Sequence, residues 1–253
     1  MKIVHVLGYS DGTLLVRDIG KDNTREIYLE GIIQFQVKPG IYCIGDMGRF
    51  CFKHLDKGTQ CIRCFNRNPR NYCAMCNGNK CYLKEKICGP HFVYLAVFSN
   101  IIKVGVCSTQ RFPTRVIEQG ADFAVKIAFF DDGLEARKTE KGIRKNYNIT
   151  DRIKSNFKQY IIYRNKAKPM GENFLKQAYY EIIDSIPKEN RLPLEVVELS
   201  ESYTEPEVEE PERIRIEENV QVCGKVIGKK GNFIVLANSQ GNYCLNCYDL
   251  IGR

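Results

Sequence analysis

The sequence predicts an α+β protein: a three-stranded sheet with flanking helices in the middle of the chain, a cysteine-rich module before it, and β-structure at both ends. Residues 91–140 run in the order strand, strand, helix, strand, helix, because β-branched and aromatic runs alternate with segments of helical periodicity. Residues 43–90 hold eight cysteines and few large apolar residues, which indicates a module held together by metal. Both ends alternate apolar and polar residues, as half-buried strands do.

The two ends are each predicted to form a small antiparallel β-unit. Turn signals such as Ser10-Asp11-Gly12 separate four short alternating segments before residue 42, and glycine-rich turns separate the segments after residue 220. Either set has too few strands to cover a core alone, so we expect the two to join in one small β-barrel or meander. The predicted segments are therefore a β-unit at 1–42, the cysteine-rich module at 43–90, an α+β domain at 91–199, an acidic linker at 200–219 and a C-terminal β-unit at 220–253.

Two Cys-x2-Cys pairs in the module predict a structural zinc site. Cys61 and Cys64 form the first pair, and Cys73 and Cys76 form the second. Two such pairs present four thiolates at tetrahedral positions, which suits zinc in a zinc-ribbon-like module and leaves no open position for catalysis. The alternative is two disulfides, but the chain begins with a predicted strand rather than a secretory signal, which favours metal.

A second zinc site is predicted from the remaining donors of the module. Cys88 and His91 have Cys-x2-His spacing, and Cys81 precedes them. Cys51 or His54 would supply the fourth ligand. In the alternative interpretation, His91 only begins the strand that follows.

The other cysteines carry weaker expectations. Cys244 and Cys247 would either complete a site with Cys43 and Cys51 or enter a disulfide with Cys223, and these alternatives stay open. Cys107 lies in an apolar run and is expected to be a buried thiol.

The charge of the chain is unevenly distributed and points to a polyanionic partner. The formal net charge is +8, yet nine glutamates against two arginines give residues 198–218 a net charge of −7, which leaves +15 on the rest. A body this basic favours nucleic acid as the partner, although charged surfaces of this kind also occur in thermostable proteins. No apolar run reaches about 18 residues, so we expect no membrane span and a cytoplasmic location.

The candidate nucleic-acid contacts are basic side chains of two regions. One set lies near aromatic residues in the cysteine-rich module, and the other lies along the helix predicted after the third strand of the α+β domain. RNA is favoured over DNA, because knuckles of this kind suit phosphate contact together with base stacking. The candidates are Arg63, Arg67, Arg137, Lys141, Arg144 and Lys145. The alternative is that these residues form a solvated helix face and loop.

The middle of the chain resembles the GIY-YIG nuclease domain. Phe92-Val93-Tyr94 and Lys103-Val104-Gly105 stand where that family has its paired tripeptides, with Arg115 in the next helix and Glu140 in the last one. Lys103 replaces the family's tyrosine, and Gln119 stands where many members have histidine or tyrosine. Cysteine pairs followed by this hairpin also resemble an uncharacterised, largely archaeal family.

The resemblance implies a phosphodiesterase that depends on Mg²⁺ or Mn²⁺. Tyr94 and Lys103 would occupy the position of the base, Arg115 would stabilise the phosphate, and Glu140, with Glu135 as the alternative, would bind the ion. A desolvated lysine near Arg115 has a lowered pKa and could act as the base. In the plainer interpretation, Lys103 only contacts phosphate.

Three classes of function remain open at this point. The first is a zinc-containing nucleic-acid-binding protein with phosphodiesterase activity. The second is a non-catalytic ribonucleoprotein or ribosome-associated adaptor, and the third is a nucleic-acid modification enzyme in which the cysteines perform the chemistry.

Overall fold

The computed structural model describes most of the chain and divides it into two compact units. The described residues are 3–21, 23–46, 49–76, 78–81, 88–155, 157–159, 168–206, 208 and 211–253. The first unit combines Met1–Asn71 with Thr204–Arg253, and the second is Tyr72–Tyr203. Both ends of the chain therefore belong to the first unit.

The first unit contains two open sheets. One is an antiparallel sheet of β1 (Val4–Ser10), β2 (Thr13–Asp18) and β3 (Thr24–Tyr28). The other contains strands from both ends of the chain, namely β4 (Ile32–Gln36), β11 (Glu212–Ile214), β12 (Gln221–Lys230), β13 (Phe233–Asn238) and β14 (Gly241–Asn246). Their order is β11-β14-β13-β12-β4, so β4 of the N-terminal half pairs with β12 of the C-terminal half.

One hydrophobic core joins the two sheets, but they do not close into a barrel. Val16 of the first sheet packs in the same cluster as Val222 and Leu236 of the second. In the described pairings, β3 and β4 are edge strands that each pair on one side only. A cavity of ≈ 410 Å³ lies among their side chains. The expectation that the ends join is therefore correct, whereas a closed barrel is wrong.

The cysteine-rich module has short elements. Two-residue strands β5 (Ile41–Tyr42) and β6 (His54–Leu55) pair antiparallel, and helices α1 (Ile62–Arg67) and α2 (Pro69–Met75) follow. The segment predicted as an acidic linker contributes more than a tether, because β11 lies within it and pairs parallel to β14.

The second unit is built on a four-stranded antiparallel sheet. Its strands are β7 (His91–Phe98), β8 (Ile101–Ser108), β9 (Phe123–Phe130) and β10 (Val196–Glu198), in the order β10-β9-β7-β8. Helices α3 (Phe112–Gln119) and α4 (Gly133–Tyr147) follow β8 and β9, and α5 (Lys168–Ile182) comes later. The predicted order of hairpin, helix, strand and helix is confirmed, and β10 adds a fourth strand.

The helices cover both faces of this sheet. On one face, Tyr94 and Phe98 of β7 pack with Phe112 and Val116 of α3. On the other, Leu95 and its alternate neighbours pack with buried residues of α4 and α5, namely Ala136, Ile143, Leu175 and Ile182. Because successive strand residues face opposite sides, β7 is buried on both faces. Among the described residues, no helix is long and apolar enough to cross a lipid bilayer.

Two glycines shape the face that carries Tyr94. Gly120 ends α3 in the left-handed conformation, with φ of 73°. Gly105 lies opposite Tyr94 in the β7–β8 pairing, and a Cβ on Gly105 would stand 2.5 Å from Cζ of Tyr94. The tyrosine ring therefore lies across the bare backbone of Gly105.

We predict that Gly105→Ala lowers the free energy of unfolding by about 1–3 kcal/mol, because the added methyl group must displace a fully buried ring. The matched control is Gly142→Ala in α4, where nothing lies within 4 Å of the new Cβ. That change should raise the free energy of unfolding by up to about 1 kcal/mol. Urea unfolding measures both values, and a Gly105→Ala variant as stable as wild type would contradict the packing described.

Candidate functional site

Four cysteines of the first unit form a cluster with the dimensions of a metal site. The sulfur atoms of Cys43, Cys51, Cys61 and Cys64 all lie within 4.8 Å of one another, and those of Cys51 and Cys61 are 3.9 Å apart. Sulfurs bound to one tetrahedral zinc at about 2.3 Å lie about 3.8 Å apart, whereas a disulfide needs about 2.05 Å. All four thiols are free. The cluster can therefore hold a metal ion such as zinc.

The backbone around the cluster prepares the sulfurs for negative charge. The backbone N–H groups of Gly45 and Cys61 donate to Sγ of Cys43, at 3.5 and 3.2 Å. The N–H of Cys64 lowers the pKa of the Cys61 thiol to about 7, whereas burial raises the pKa of Cys43 and of Cys64. Ionising all four thiols together therefore requires a cation among them.

The module has little other core. Its buried cluster consists of Cys43, Cys61 and Cys64, with Cys51 and Leu55 packed against them. Since so few apolar side chains contribute, a bound metal would supply much of the stability of this segment.

The grouping predicted from spacing is not the one in the structure. Cys61 and Cys64 lie with Cys43 and Cys51, rather than with the second Cys-x2-Cys pair. The physical reason is the β5–β6 pairing, which brings together Cys43, just after β5, and Cys51, just before β6. Spacing alone does not reveal this pairing, and Cys43 was missed as a ligand of this cluster for that reason.

The second Cys-x2-Cys pair lies in the second unit. Cys73 and Cys76 line a small cavity together with Cys81, Cys88 and His91. The three donors predicted for a second zinc site are thus together, but Cys51 is not with them. His54, the alternative ligand, lies exposed on β6.

The remaining cysteines do not join these groups. Cys244 and Cys247 are buried in the first unit, Cys223 is exposed on β12, and all three are free. The expected site with Cys43 and Cys51 and the disulfide with Cys223 are therefore both absent from these described residues. Cys107 is a buried thiol, as predicted.

A hydrogen-bonded chain connects three candidate residues of the second unit. Nζ of Lys103 donates to Oε1 of Gln119 at 2.5 Å, and Nε2 of Gln119 donates to the hydroxyl of Tyr94 at 3.0 Å. The chain joins β8, α3 and β7. Gln119 stands one helical turn after Arg115, so the i, i+4 spacing was the signal that could have identified it as a site residue.

The strand register places Lys103 and Tyr94 on one face of the sheet. Lys103 pairs with Ala96, and Gly105 pairs with Tyr94. Paired residues of an antiparallel sheet share a face, and residues two apart on a strand share it as well. Because Gly105 has no side chain, the tyrosine ring extends over it towards the position of Lys103.

The charges of Arg115 and Glu140 change the pKa values of Lys103 and Tyr94 in the hydrogen-bonded chain. Burial, followed by the charge of Arg115, lowers the pKa of Lys103 to about 8, and Glu140 and Asp151 oppose this change. Burial raises the pKa of Tyr94 to about 12, against the charge of Arg115 and the bond from Gln119. Burial also raises the pKa of Glu140, against nearby cations. All four predicted residues thus belong to one electrostatic neighbourhood.

Lys158 is a further cation of this neighbourhood, and the sequence did not single it out. Burial, followed by the charges of Lys103 and Arg115, lowers its pKa to about 7. Its Nζ lies 5.3 Å from the centroid of the Phe98 ring. Three cations, namely Lys103, Arg115 and Lys158, therefore lie close together near Tyr94, and the carboxylates of Glu140 and Asp151 act on Lys103. No local pattern could have separated Lys158 from the other lysines of its basic segment.

The six predicted nucleic-acid contacts have different surroundings. In the first unit, Arg63 is exposed and Arg67 lies 3.6 Å from Asp46. On α4, three basic side chains are exposed, namely Lys141, Arg144 and Lys145. Lys141 donates to Asn79, Arg144 pairs with Asp151, and Arg137 lines the cavity that contains the cysteines.

Comparison with known proteins gives a family but no activity. A family model described as "Protein of unknown function (DUF2797)" matches residues 32–252. No curated protein matches the chain. No solved structure matches it either.

We predict that Cys43→Ser removes the metal held by the four-cysteine cluster of the first unit and lowers the melting temperature, because the cluster is most of the module's buried core. Elemental analysis and thermal unfolding measure the two effects. Cys223→Ser is the control, since this exposed thiol lies outside the cluster and its loss should change neither value. Equal metal content in Cys43→Ser and wild type would contradict the assignment.

We also predict that Glu140→Gln lowers the pKa of Lys103 below about 8, because the negative charge of Glu140 raises it. The control is Glu135→Gln, an exposed residue of the same helix whose carboxylate pairs with Lys138. Titration of the Lys103 Cε signal, followed by NMR, gives the pKa of Lys103 in each of the two variants. A Lys103 pKa that responds equally to the two changes would show that Glu140 has no special proximity.

Proposed function

The chain belongs to the DUF2797 family, and we propose that it is a zinc-containing nucleic-acid-binding protein that cleaves phosphodiester bonds, with RNA favoured over DNA. The observation that carries this proposal is the gathering of Lys103, Arg115 and Lys158 near Tyr94 and the carboxylate of Glu140. Cations held close together are stabilised when an anion binds among them, and a phosphodiester is such an anion.

Lys103 is the residue best suited to act as the base. Its pKa of about 8 is closer to neutral than the value of about 12 for Tyr94. In hydrolysis, Nζ of neutral Lys103 takes a proton from water as the water oxygen bonds to phosphorus and the bond from phosphorus to the leaving oxygen breaks. Tyr94 holds Gln119, and Gln119 orients Lys103.

Arg115 and Lys158 would face the negative charge that grows on the phosphate oxygens in the transition state. A fixed cation in a site shielded from water stabilises such charge more than it would in solution. Glu140 offers carboxylate oxygens, the ligands that Mg²⁺ and Mn²⁺ prefer. A bound divalent ion would stabilise the leaving oxygen.

Binding would rely on the exposed basic residues of α4, including Arg144 and Lys145, and on the basic character of the chain outside the acidic segment. Affinity for nucleic acid should therefore fall as the salt concentration rises. The four-cysteine cluster of the first unit would hold zinc in a structural role, because four thiolates fill a tetrahedral shell and leave no position for substrate.

The competing function is a non-catalytic adaptor that binds RNA. One observation favours it: Nζ of Lys103 already donates a hydrogen bond, as a lysine that only contacts phosphate would do. The adaptor and the phosphodiesterase differ in whether Glu140 is needed after binding.

We expect Glu140→Gln to bind RNA with wild-type affinity but to cleave it on the order of 100-fold more slowly, because the amide cannot hold the divalent ion in the same way. Wild type, Glu140→Gln and the control Glu135→Gln are each incubated with structured RNA, duplex DNA and branched DNA, with Mg²⁺ or Mn²⁺. Binding is measured in the same samples without divalent ion. The wild-type rate should rise with pH through about 8, as Lys103 loses its proton.

Binding without cleavage in all three proteins would establish the adaptor instead. Equal cleavage by Glu140→Gln and Glu135→Gln would show that the carboxylate of Glu140 has no role in the reaction. Absence of binding to every nucleic acid at low salt would reject both functions.

A further inference from the structure

We propose a second four-thiolate zinc centre, formed by Cys73, Cys76, Cys81 and Cys88, that fixes the N-terminal half of α4. This site lies within the second unit and shares no residue with the four-cysteine cluster of the first unit.

Four cysteines line one small cavity, with their sulfurs less closely gathered than those of the four-cysteine cluster of the first unit. Cys73, Cys76, Cys81 and Cys88 all line it, and its volume of ≈ 20 Å³ is close to that of a single small occupant. Burial, together with the nearby Cys73 and Cys81, raises the pKa of the Cys88 thiol. None of these four cysteines is in a disulfide.

The local backbone suits a metal knuckle. Cys73 lies in the last turn of α2 and Cys76 directly follows that helix, where the N–H of Cys76 donates to the carbonyl oxygen of Cys73 at 3.1 Å. The helix end thus turns both sulfurs of the pair to the same cavity. Four soft thiolates at Cys-x2-Cys-x4-Cys-x6-Cys spacing form the ligand set that zinc takes in structural sites.

His91 lies beside the four sulfurs and competes for one position. Its Nδ1 lies 3.0 Å from the carbonyl oxygen of Gly89, a bond that orients the ring and leaves Nε2 free to act as a ligand. Its ring also packs against Gly133, where a Cβ would stand 2.8 Å from Cε1 of the histidine. We assign the four sulfurs as ligands and His91 to the wall, since four thiolates complete the shell.

The proposed centre is in direct contact with α4. Gly78, between the second and third cysteines, has φ of 78°, and a Cβ there would stand 2.7 Å from the backbone nitrogen of Lys138. Next to it, Oδ1 of Asn79 accepts from Nζ of Lys141 at 2.8 Å. At the start of the helix, Asp132 caps α4 and lies close to Cys88.

These contacts give the centre a mechanical role. A metal that holds Cys76 and Cys81 also holds the backbone between them against the first two turns of α4. Glu140 follows on the same helix, so the centre would position the carboxylate of the proposed reaction. The zinc and the helix contact do not depend on that reaction, whereas the consequence for Glu140 rests on the proposed function.

The test is the zinc content of the purified full-length chain, measured by elemental analysis. We expect two zinc ions per chain in wild type, one in Cys81→Ser, one in Cys43→Ser, and two in the control Cys223→Ser. A single zinc in wild type would overturn the proposal. Two zinc ions retained in the double variant with Cys81→Ser and Cys88→Ser would overturn it as well.

A second measurement tests the contact with the helix even if the Cys81→Ser variant folds poorly. Hydrogen exchange of wild type is compared before and after a chelator has removed one of the two zinc ions, and native mass spectrometry identifies the one-zinc species. In Cys43→Ser, where only the proposed centre is loaded, removal of zinc should increase exchange at residues 134–141 of α4. Unchanged exchange there would reject the contact with the helix.

Cobalt substitution identifies the ligands. The charge-transfer absorption of Co²⁺ in Cys43→Ser should fall in Cys43→Ser combined with Cys76→Ser and stay unchanged when combined with His91→Ala. The reverse result would overturn the assignment of four thiolates and show that His91 is a ligand. None of these measurements involves nucleic acid, so their failure is separate from failure of the proposed function.

Discussion

The hydrogen-bonded chain from Tyr94 through Gln119 to Lys103 depends on the missing side chain of Gly105. Because the tyrosine ring crosses the bare backbone of β8, its hydroxyl reaches the amide at the end of α3, and that amide in turn reaches Lys103. Two strands and one helix are thereby held in a fixed arrangement by polar contacts that are buried between Gln119 and Tyr94 and partly buried at Lys103. A buried network of this kind stabilises one geometry, since a hydrogen bond lost inside it leaves an unpaired polar group.

The electrostatics of the candidate site follow from this burial. Lys103 and Lys158 are withdrawn from water beside Arg115, and their lowered pKa values express the cost of holding three cations together. Glu140 is the carboxylate that offsets part of this cost. Such an arrangement is unfavourable in the absence of an anion and improves when one binds. The same property would serve a phosphodiesterase or a phosphate-binding adaptor, and for this reason the two are separated by the role of Glu140 after binding.

The cysteines form two groups in segments of the chain that have few apolar side chains to bury. In the first unit, the described module has a buried cluster made almost entirely of thiols, so a bound ion would supply much of its stability. In the second unit, four further cysteines line a cavity at the start of α4. The two groups follow one another along the chain, with Cys43 to Cys64 in one and Cys73 to Cys88 in the other. Each group therefore closes a local segment of the chain, which costs less loop entropy than an interleaved arrangement would.

The sequence by itself determined the order of elements in the second unit, the β-character of both ends and the presence of cysteines that can hold a metal. Those features are local: periodicity, turn residues and residue type are visible within a few positions. Only the tertiary structure decided which cysteines share a site, because the β5–β6 pairing that joins Cys43 to Cys51 has no signature in their spacing. It also decided that the two ends form open sheets, and that Lys158 joins Lys103 and Arg115. Burial and contact between distant segments depend on the packing of the whole unit, and the local sequence does not contain that information.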